Sequence, residues 1–160
     1  MKAVVQRVTR ARVSVEGRAI GSIAEGLLVY AGVAEGDEVA DAEYLVGKIA
    51  NLQIFEREGR MNDSVIDSGG AILLVSQFTL LADTRKGRRP SFTAAAEPEI
   101  AEGLLGELRR GLEAAGVEVE TGEFGAHMEV ESVNDGPVTI LLDSGDRKLP
   151  RRRKAPSDGD

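Results

Sequence analysis

The 160-residue sequence contains no cysteine and no tryptophan, and it has a single histidine, His127. Without thiols there are no disulfides, no thiolate metal ligands and no cysteine nucleophile, a composition that fits a reducing compartment such as the cytoplasm. One imidazole cannot make a multi-histidine metal centre, so no metal is expected. A Ser-His-Asp arrangement would have to use His127, and nothing in the sequence places a serine beside it. The phosphate-binding pattern G-x-x-x-x-G-K-[ST], the dinucleotide pattern G-x-G-x-x-G and the nucleophile elbow G-x-S-x-G are all missing, and no cofactor is expected. Apolar windows are too short for a membrane span. The opening apolar run is broken by Gln6 and Arg7, which leaves no signal-peptide core.

Aromatic residues are also scarce, at 4% of the chain. Any core must therefore be built from Val, Leu, Ile and Ala. Apolar residues reach 42%, enough for one domain with a sizeable interior. The net charge of −7 is unevenly spread. Residues 146–160 hold six cations and three carboxylates, a net +3, which leaves −10 on residues 1–145. That balance argues against general nucleic-acid binding. Any RNA contact must use local basic patches: Arg7, Arg10 and Arg12, the segment TRKGRRP at 84–90, or the tail. The plainest reading of each is a solvated surface.

Periodicity divides the chain into strands and two helices. Alternating patterns mark strands at 2–8 and 12–16, and the continuous apolar run at 24–33 marks a strand buried on both faces. Val39, Ala42, Val46 and Ile49 fall at helical spacing over 38–50, with Gly47 as either a weak point or a site of close packing. A further strand starts at 52–55, a loop follows at 57–64, and 71–81 is the most apolar strand. Pro98 opens a second helix, along which Ile100, Leu104, Leu105, Leu108 and Leu112 form one stripe, and Gly116 stops it. Strands at 117–121, 127–133 and 137–143 complete the pattern. The fold class is α/β. Two helices cannot cover both faces of so much sheet, so sheet packs on sheet and the helices share one outer side. A single domain is expected over 1–145, with a basic, disordered tail at 146–160.

Two short stretches carry polar groups where chemistry could sit. SQFTL at 76–80 puts Ser76, Gln77 and Thr79 at the end of the most apolar strand. Buried and unsatisfied, such groups would each cost ~1–3 kcal/mol, so they bond either to local backbone or to a ligand in a pocket. NDGPVT at 134–139 is a turn signal ahead of a strand. Together these two stretches resemble the signature pair of the D-aminoacyl-tRNA deacylases. The similarity extends to QRVTRARVSVEG at the start, GLLVYAGV at 26–33, GRMNDSV at 59–65, ADTRKGRRPSF at 82–92 and TGEFGAHMEVESVNDGPVT at 121–139. It covers residues 1 to about 143.

The resemblance implies a β2-(βα)2-β3 three-layer fold and a homodimer. It implies hydrolysis of the ester in D-aminoacyl-tRNA, and also in glycyl-tRNA mischarged on tRNA-Ala, with the 2′-hydroxyl of the terminal adenosine assisting attack by water. In such proteins a Gly-Pro dipeptide with a cis bond reaches into the partner subunit's site, and here that pair would be Gly136-Pro137. Its backbone carbonyls would exclude an L side chain while a D side chain leaves freely. Ser76, Gln77, Phe78 and Thr79 would form the catalytic pocket, Met128 would line it near the adenosine, and Arg7 would hold the Gly-Pro loop. His127 matches no motif of that family. Arg85, Lys86, Arg88 and Arg89 would lie near acceptor-end phosphates. On the residues alone two other readings stay open. One is the same fold with a trans Gly-Pro acting on small L-residues, and the other is a tRNA- or nucleotide-binding module without catalysis.

Overall fold

A computed structural model describes residues 1–152. The expected disorder of the tail falls largely on 153–160, outside the described residues. The chain forms β1 (Lys2–Val15), β2 (Arg18–Ile23), β3 (Gly26–Gly32), α1 (Val39–Asn51), β4 (Phe55–Arg57), β5 (Arg60–Asp63), α2 (Val65–Ser68) and β6 (Ala71–Ser76). There follow a 3-10 turn (Phe78–Leu81), α3 (Pro98–Ala114), β7 (Val119–Thr121), β8 (Glu129–Asp143) and a second 3-10 turn (Ser144–Lys148).

The six-stranded sheet runs β2-β1-β3-β6-β7, with β8 on the other edge of β1. β1 is long enough to serve two neighbours in turn: residues 2–8 pair with β3 and 11–15 with β2, both antiparallel. The far edge of β1 pairs with β8 along nearly its whole length. β3, β6 and β7 are parallel, as strands joined through helical crossovers must be. The sheet curls until β2 lies against β7, where a methyl group on Gly21 would fall 2.7 Å from the Thr121 carbonyl oxygen. The result is nearly a barrel.

Alternation along the strands divides the core between two faces. Leu28, Leu73 and Val75 point inside the barrel with Val8, Ala11 and Val13. Leu27, Val29, Ile72 and Leu74 point outward, where α1 and α3 cover them with Leu45, Ile49, Leu108 and Leu112. The two expected helices thus share one side. β1 serves both clusters, with Ala3 and Val5 in the outer one, and its register shift between Val8 and Arg10 brings Val8 and then Ala11 to the inner face. This bulge joins the two strands expected at 2–8 and 12–16 into one.

Other boundaries differ for physical reasons. The strand expected over 71–81 ends at Ser76, and 78–81 coils into the 3-10 turn, with Leu80 N donating to the Gln77 carbonyl. The loop at 57–64 contains the β4–β5 hairpin, turned by Glu58 (φ 52°) and Gly59 (φ 77°). α2 is a third helix, too short for periodicity to show, and it is capped by Ser64, which accepts from Asp67 N. Ala101 replaces Ile100 in the buried stripe of α3, and Ile100 is exposed. Gly47 faces open space. The close approach between helices occurs at Gly111, where a methyl group would fall 2.5 Å from Val46.

The folded body continues past residue 145. Ser144 is buried and its hydroxyl donates to Asp41 Oδ1 at 2.7 Å, while Arg147 Nε donates to the same oxygen at 3.2 Å. The buried Met1 ammonium donates to Ser144 Oγ at 2.6 Å and pairs with Asp37 at 2.6 Å. Burial alone would raise the Asp41 carboxyl. Hydrogen bonds from the Glu38 amide, Ser144 and Arg147 overcome it and bring the pKa from 3.8 to about 2. The folded pKa therefore lies below the unfolded one. The stabilisation is complete above about pH 4 and is lost as pH falls through about 2. We expect Asp41→Asn to cost about 2 kcal/mol at neutral pH, with the gap to wild type closing toward pH 2 in denaturation titrations. A pH-independent gap would contradict this origin.

Candidate active site

β8 does not keep step with β1 around Arg7. Gln6 lies opposite Thr139 and Val8 opposite Asn134, so two steps on β1 face five on β8. The surplus of three bulges out at residues 135–137, and Val138 turns back into the core. This is why one strand, Glu129–Asp143, stands where the sequence suggests two strands and a turn. Gly136 and Pro137 are exposed at its tip, the peptide between them is cis, and Gly136 has φ +123°. A side chain at 136 would meet Val138 Cγ2 at 2.8 Å and Arg7 Nη2 at 3.2 Å, so glycine is required there on steric grounds as well.

Two side chains hold the base of this loop. Arg7 is buried beneath it. Its Nη1 donates to the Ile54 carbonyl at 2.7 Å, and its Nε donates to the Asp135 carbonyl at 3.3 Å and pairs with the Asp135 carboxylate at 3.2 Å. Asn134 reads in the sequence as a turn former. In the structure its amide donates to the carbonyls of Arg7 and Val138, both at 3.0 Å, and so bridges the two sides of the extrusion. Thr139 donates to the Asn134 oxygen at 3.4 Å and accepts from Gln6 at 3.2 Å.

At the other end of the sheet, where β6 stops, lies a cavity of about 300 Å3. Ser76, Gln77 and Phe78 form one wall, and Gly32, Ala95, Ala96 and Phe124 are among the residues opposite. No ionisable side chain lines it among the described residues. Gln77 N donates to the Ala31 carbonyl at 2.8 Å, which fixes the turn against β3. Thr79 is exposed at the rim, and its hydroxyl accepts from the Gln77 amide. Phe78, also exposed, packs edge-on against Phe92 with ring centroids 5.1 Å apart. Gly32 makes the close fit possible. A methyl group there would fall 2.6 Å from both the Gln77 carbonyl oxygen and Leu81 Cδ2. Neither Gly32 nor Ala95–Ala96 stands out in the sequence, because small apolar residues look like packing.

Within one chain the structure gathers Ser76, Gln77 and Phe78 at the cavity, with Thr79 at its rim, and gathers Arg7, Gly136 and Pro137 at the extruded loop. The two groups are not brought together. The loop borders a different depression, shared with Arg7, Thr9, Glu25 and Phe55. Met128 lies with neither. It packs on the inner barrel cluster, close enough to Gly122 that a methyl group on that glycine would fall 2.5 Å from its sulfur. His127 is exposed. Arg12 is held by Glu131 across the β1–β8 pair, with Nε donating at 2.8 Å. No group of His, Asp and Glu able to hold a metal occurs among the described residues, and no helix of those residues is long and apolar enough to cross a membrane.

A family model described as D-Tyr-tRNA(Tyr) deacylase matches residues 4–143. The chain belongs to the D-Tyr-tRNA(Tyr) deacylase family. A relative from Chloroflexus aurantiacus, named D-aminoacyl-tRNA deacylase, is 55% identical over 95% of this chain and 96% of its own. One from Dehalococcoides mccartyi (strain ATCC BAA-2100 / JCM 16839 / KCTC 5957 / BAV1), with the same name, is 58% identical over 94% of this chain and 99% of its own. Among solved structures, one named c-Myc DNA Unwinding Element Binding Protein superposes with a TM-score of 0.83 at 44% identity, covering 89% of this chain and 98% of that one. The matched family segment includes both the extruded loop and the cavity.

Two substitutions test this geometry. Arg7→Ala leaves the buried Ile54 carbonyl without its guanidinium donor, and we expect a loss of about 2–3 kcal/mol in chemical denaturation. Wild-type stability would show that the guanidinium is dispensable. Gly32→Ala forces Gln77 and Leu81 away from β3. It should lower the melting temperature and perturb the aromatic NMR signals of Phe78 and Phe92, and an unchanged spectrum would contradict the close contact.

Proposed function

We propose that this protein hydrolyses the ester of D-aminoacyl-tRNA and removes glycine from mischarged tRNA-Ala. We further propose that it acts as a homodimer in which Gly136-Pro137 of one subunit closes the cavity at Ser76–Thr79 of the other. The observation that carries this reading is the extruded loop: a surplus of three residues in β8 bulges out of the sheet, braced from beneath by Arg7 and Asn134, while the cavity lies elsewhere on the same chain. A braced, glycine-tipped projection and a cavity without an ionisable side chain would be complementary across a twofold axis.

In that arrangement the main-chain carbonyls of Gly136 and Pro137 face the substrate α-carbon. An L side chain would collide with them, while a D side chain points out of the site. Selection is then by exclusion and takes no account of side-chain identity. Glycine presents no side chain to exclude.

The cavity supplies no general acid or base of its own. The aminoacyl ester is already activated, and the vicinal 2′-hydroxyl of the terminal ribose can deliver water to the carbonyl. The C–O bond to the 3′-oxygen breaks, and that oxygen takes up the proton released by the water. The products are the free amino acid and tRNA with its 3′-hydroxyl restored. The first N–H groups of the 3-10 turn, those of Phe78 and Thr79, would receive the developing oxyanion. Thr79 is a rim residue whose hydroxyl is engaged by Gln77, so it is not needed as a nucleophile.

Deacylation assays with D-Tyr-tRNA, L-Tyr-tRNA, Gly-tRNA and L-Ala-tRNA test the proposal. Turnover of the D-ester and the glycyl ester alone is expected. Turnover of L-Ala-tRNA would favour a small-residue editor, and no turnover of any ester would favour a binding module. Gly136→Ala displaces the loop tip and should lower kcat/KM by about a hundredfold. Thr79→Ala should stay within about tenfold of wild type, whereas loss beyond about a thousandfold would restore a protein nucleophile.

A further inference from the structure

The C-terminal flank of the extruded loop carries a chain of hydrogen bonds with a fixed direction. In the β1–β8 register Gln6 faces Thr139 and Val8 faces Asn134, so Arg7 is skipped on the β8 side. The Asn134 side chain serves the main chain across that gap. Its amide nitrogen donates to the Arg7 carbonyl and to the Val138 carbonyl, both at 3.0 Å. Both amide protons are thus in use, one toward each strand.

Turned over, the same amide would set its oxygen against those two carbonyl oxygens, an acceptor facing acceptors. The group that opposes this lies on its other side. Asn134 Oδ1 accepts from the Thr139 hydroxyl at 3.4 Å, and no other donor reaches it among the described residues. The Thr139 hydroxyl in turn accepts from Gln6 Nε2 at 3.2 Å. A hydroxyl has a single proton, and an amide nitrogen only donates. Gln6 therefore directs the Thr139 proton away from itself and onto Asn134. Every link has one sense, from Gln6 through Thr139 and Asn134 to the carbonyl of Val138, the residue after Pro137. The Arg7 guanidinium holds the loop at Asp135, ahead of the Gly-Pro pair. The relay holds it behind the pair.

We infer that Thr139 and Gln6 are positioning residues for chiral selection. They fix the orientation of the Asn134 amide and, through the Val138 carbonyl, the set of the main chain that presents Gly136 and Pro137. The inference rests on the proposed function and goes further, to residues that govern its selectivity without lining the cavity of their own chain. Thr139 is exposed and Gln6 is half-buried. Water competes at both links, so losing one weakens the bias on Asn134 and leaves the fold in place.

Three variants separate the relay from simple packing. Thr139→Val keeps the shape and removes the hydroxyl. Thr139→Ser keeps the hydroxyl. Gln6→Glu exchanges a donor for an acceptor that draws the Thr139 proton away from Asn134. kcat/KM is measured on D-Ala-tRNA and L-Ala-tRNA, because a methyl group is the smallest side chain the loop must exclude. The ratio of the first to the second should fall about fivefold to tenfold in Thr139→Val and in Gln6→Glu, and Thr139→Ser should match wild type. The double variant Gln6→Glu/Thr139→Val should fall no further than either single one, since both break the same link. Hydrogen exchange of the Asn134 side-chain amide, followed by NMR, should quicken in Thr139→Val and Gln6→Glu and stay unchanged in Thr139→Ser. An unchanged ratio in Thr139→Val, equal loss on both esters, or a Thr139→Ser variant as impaired as Thr139→Val would overturn the inference. Failure of wild type to hydrolyse the D-ester would instead count against the proposed function. The exchange measurement then decides the relay on its own, and an unchanged rate in Thr139→Val would sink it.

Discussion

The Arg7 guanidinium reaches from β1 to the chain entering β4 and to the extruded part of β8, and it bonds to both at once. One arm satisfies the Ile54 carbonyl and another reaches the backbone and carboxylate of Asp135. A planar group with several fixed donors suits this position better than an ammonium, because the carbonyls it serves lie in different directions. Removing it would leave a buried acceptor unpaired and the loop free to collapse back toward the sheet. Asn134 completes the brace from the side by bonding carbonyls on both flanks of the extrusion. Together they let a sheet edge carry a rigid projection, where an unbraced strand would regain its register.

In the proposed dimer the cavity is the counterpart of that projection. Its walls come from small residues and backbone, with Gly32 allowing the end of β6 to turn tightly against β3. Such a surface can position a substrate but cannot by itself distinguish mirror images or move protons. In the proposed function those tasks fall to backbone groups and to the RNA. The same division accounts for a hydrolase that has one exposed histidine and no cysteine. Arginine and carboxylate side chains are kept outside the cavity, in the loop brace, the basic loop at 84–90 and the ion-paired surface.

Much of this was legible in the sequence. The continuous apolar runs at 24–33 and 71–81 marked β3 and β6, and the helical spacing of Leu104, Leu108 and Leu112 marked the covering helix. The motifs around 76–80 and 134–139 located the site. Less legible were features set by contacts distant in sequence. The polar end of the apolar run, Ser76-Gln77, did not reveal that the chain would coil at Phe78, because the switch is fixed by the Gln77 amide bonding to Ala31. Asn134 looked like a turn residue because its partners lie more than a hundred residues away on β1 as well as nearby on β8. Gly47 was the suspect for close helix packing, yet Gly111 fills that role, since spacing alone does not say which glycine faces another helix.

The central claim is that each site is shared between two subunits, and complementation between two inactive variants tests it most directly. Gly136→Ala damages the projection and Gly32→Ala damages the cavity. Co-refolded from an equal mixture, half of the dimers carry one chain of each kind, and in each of these one site has both defects and the other has neither. The account predicts recovery of about a quarter of wild-type D-aminoacyl-tRNA hydrolysis. If projection and cavity served the same chain, mixing would restore nothing, and activity no higher than that of the separate variants would contradict it.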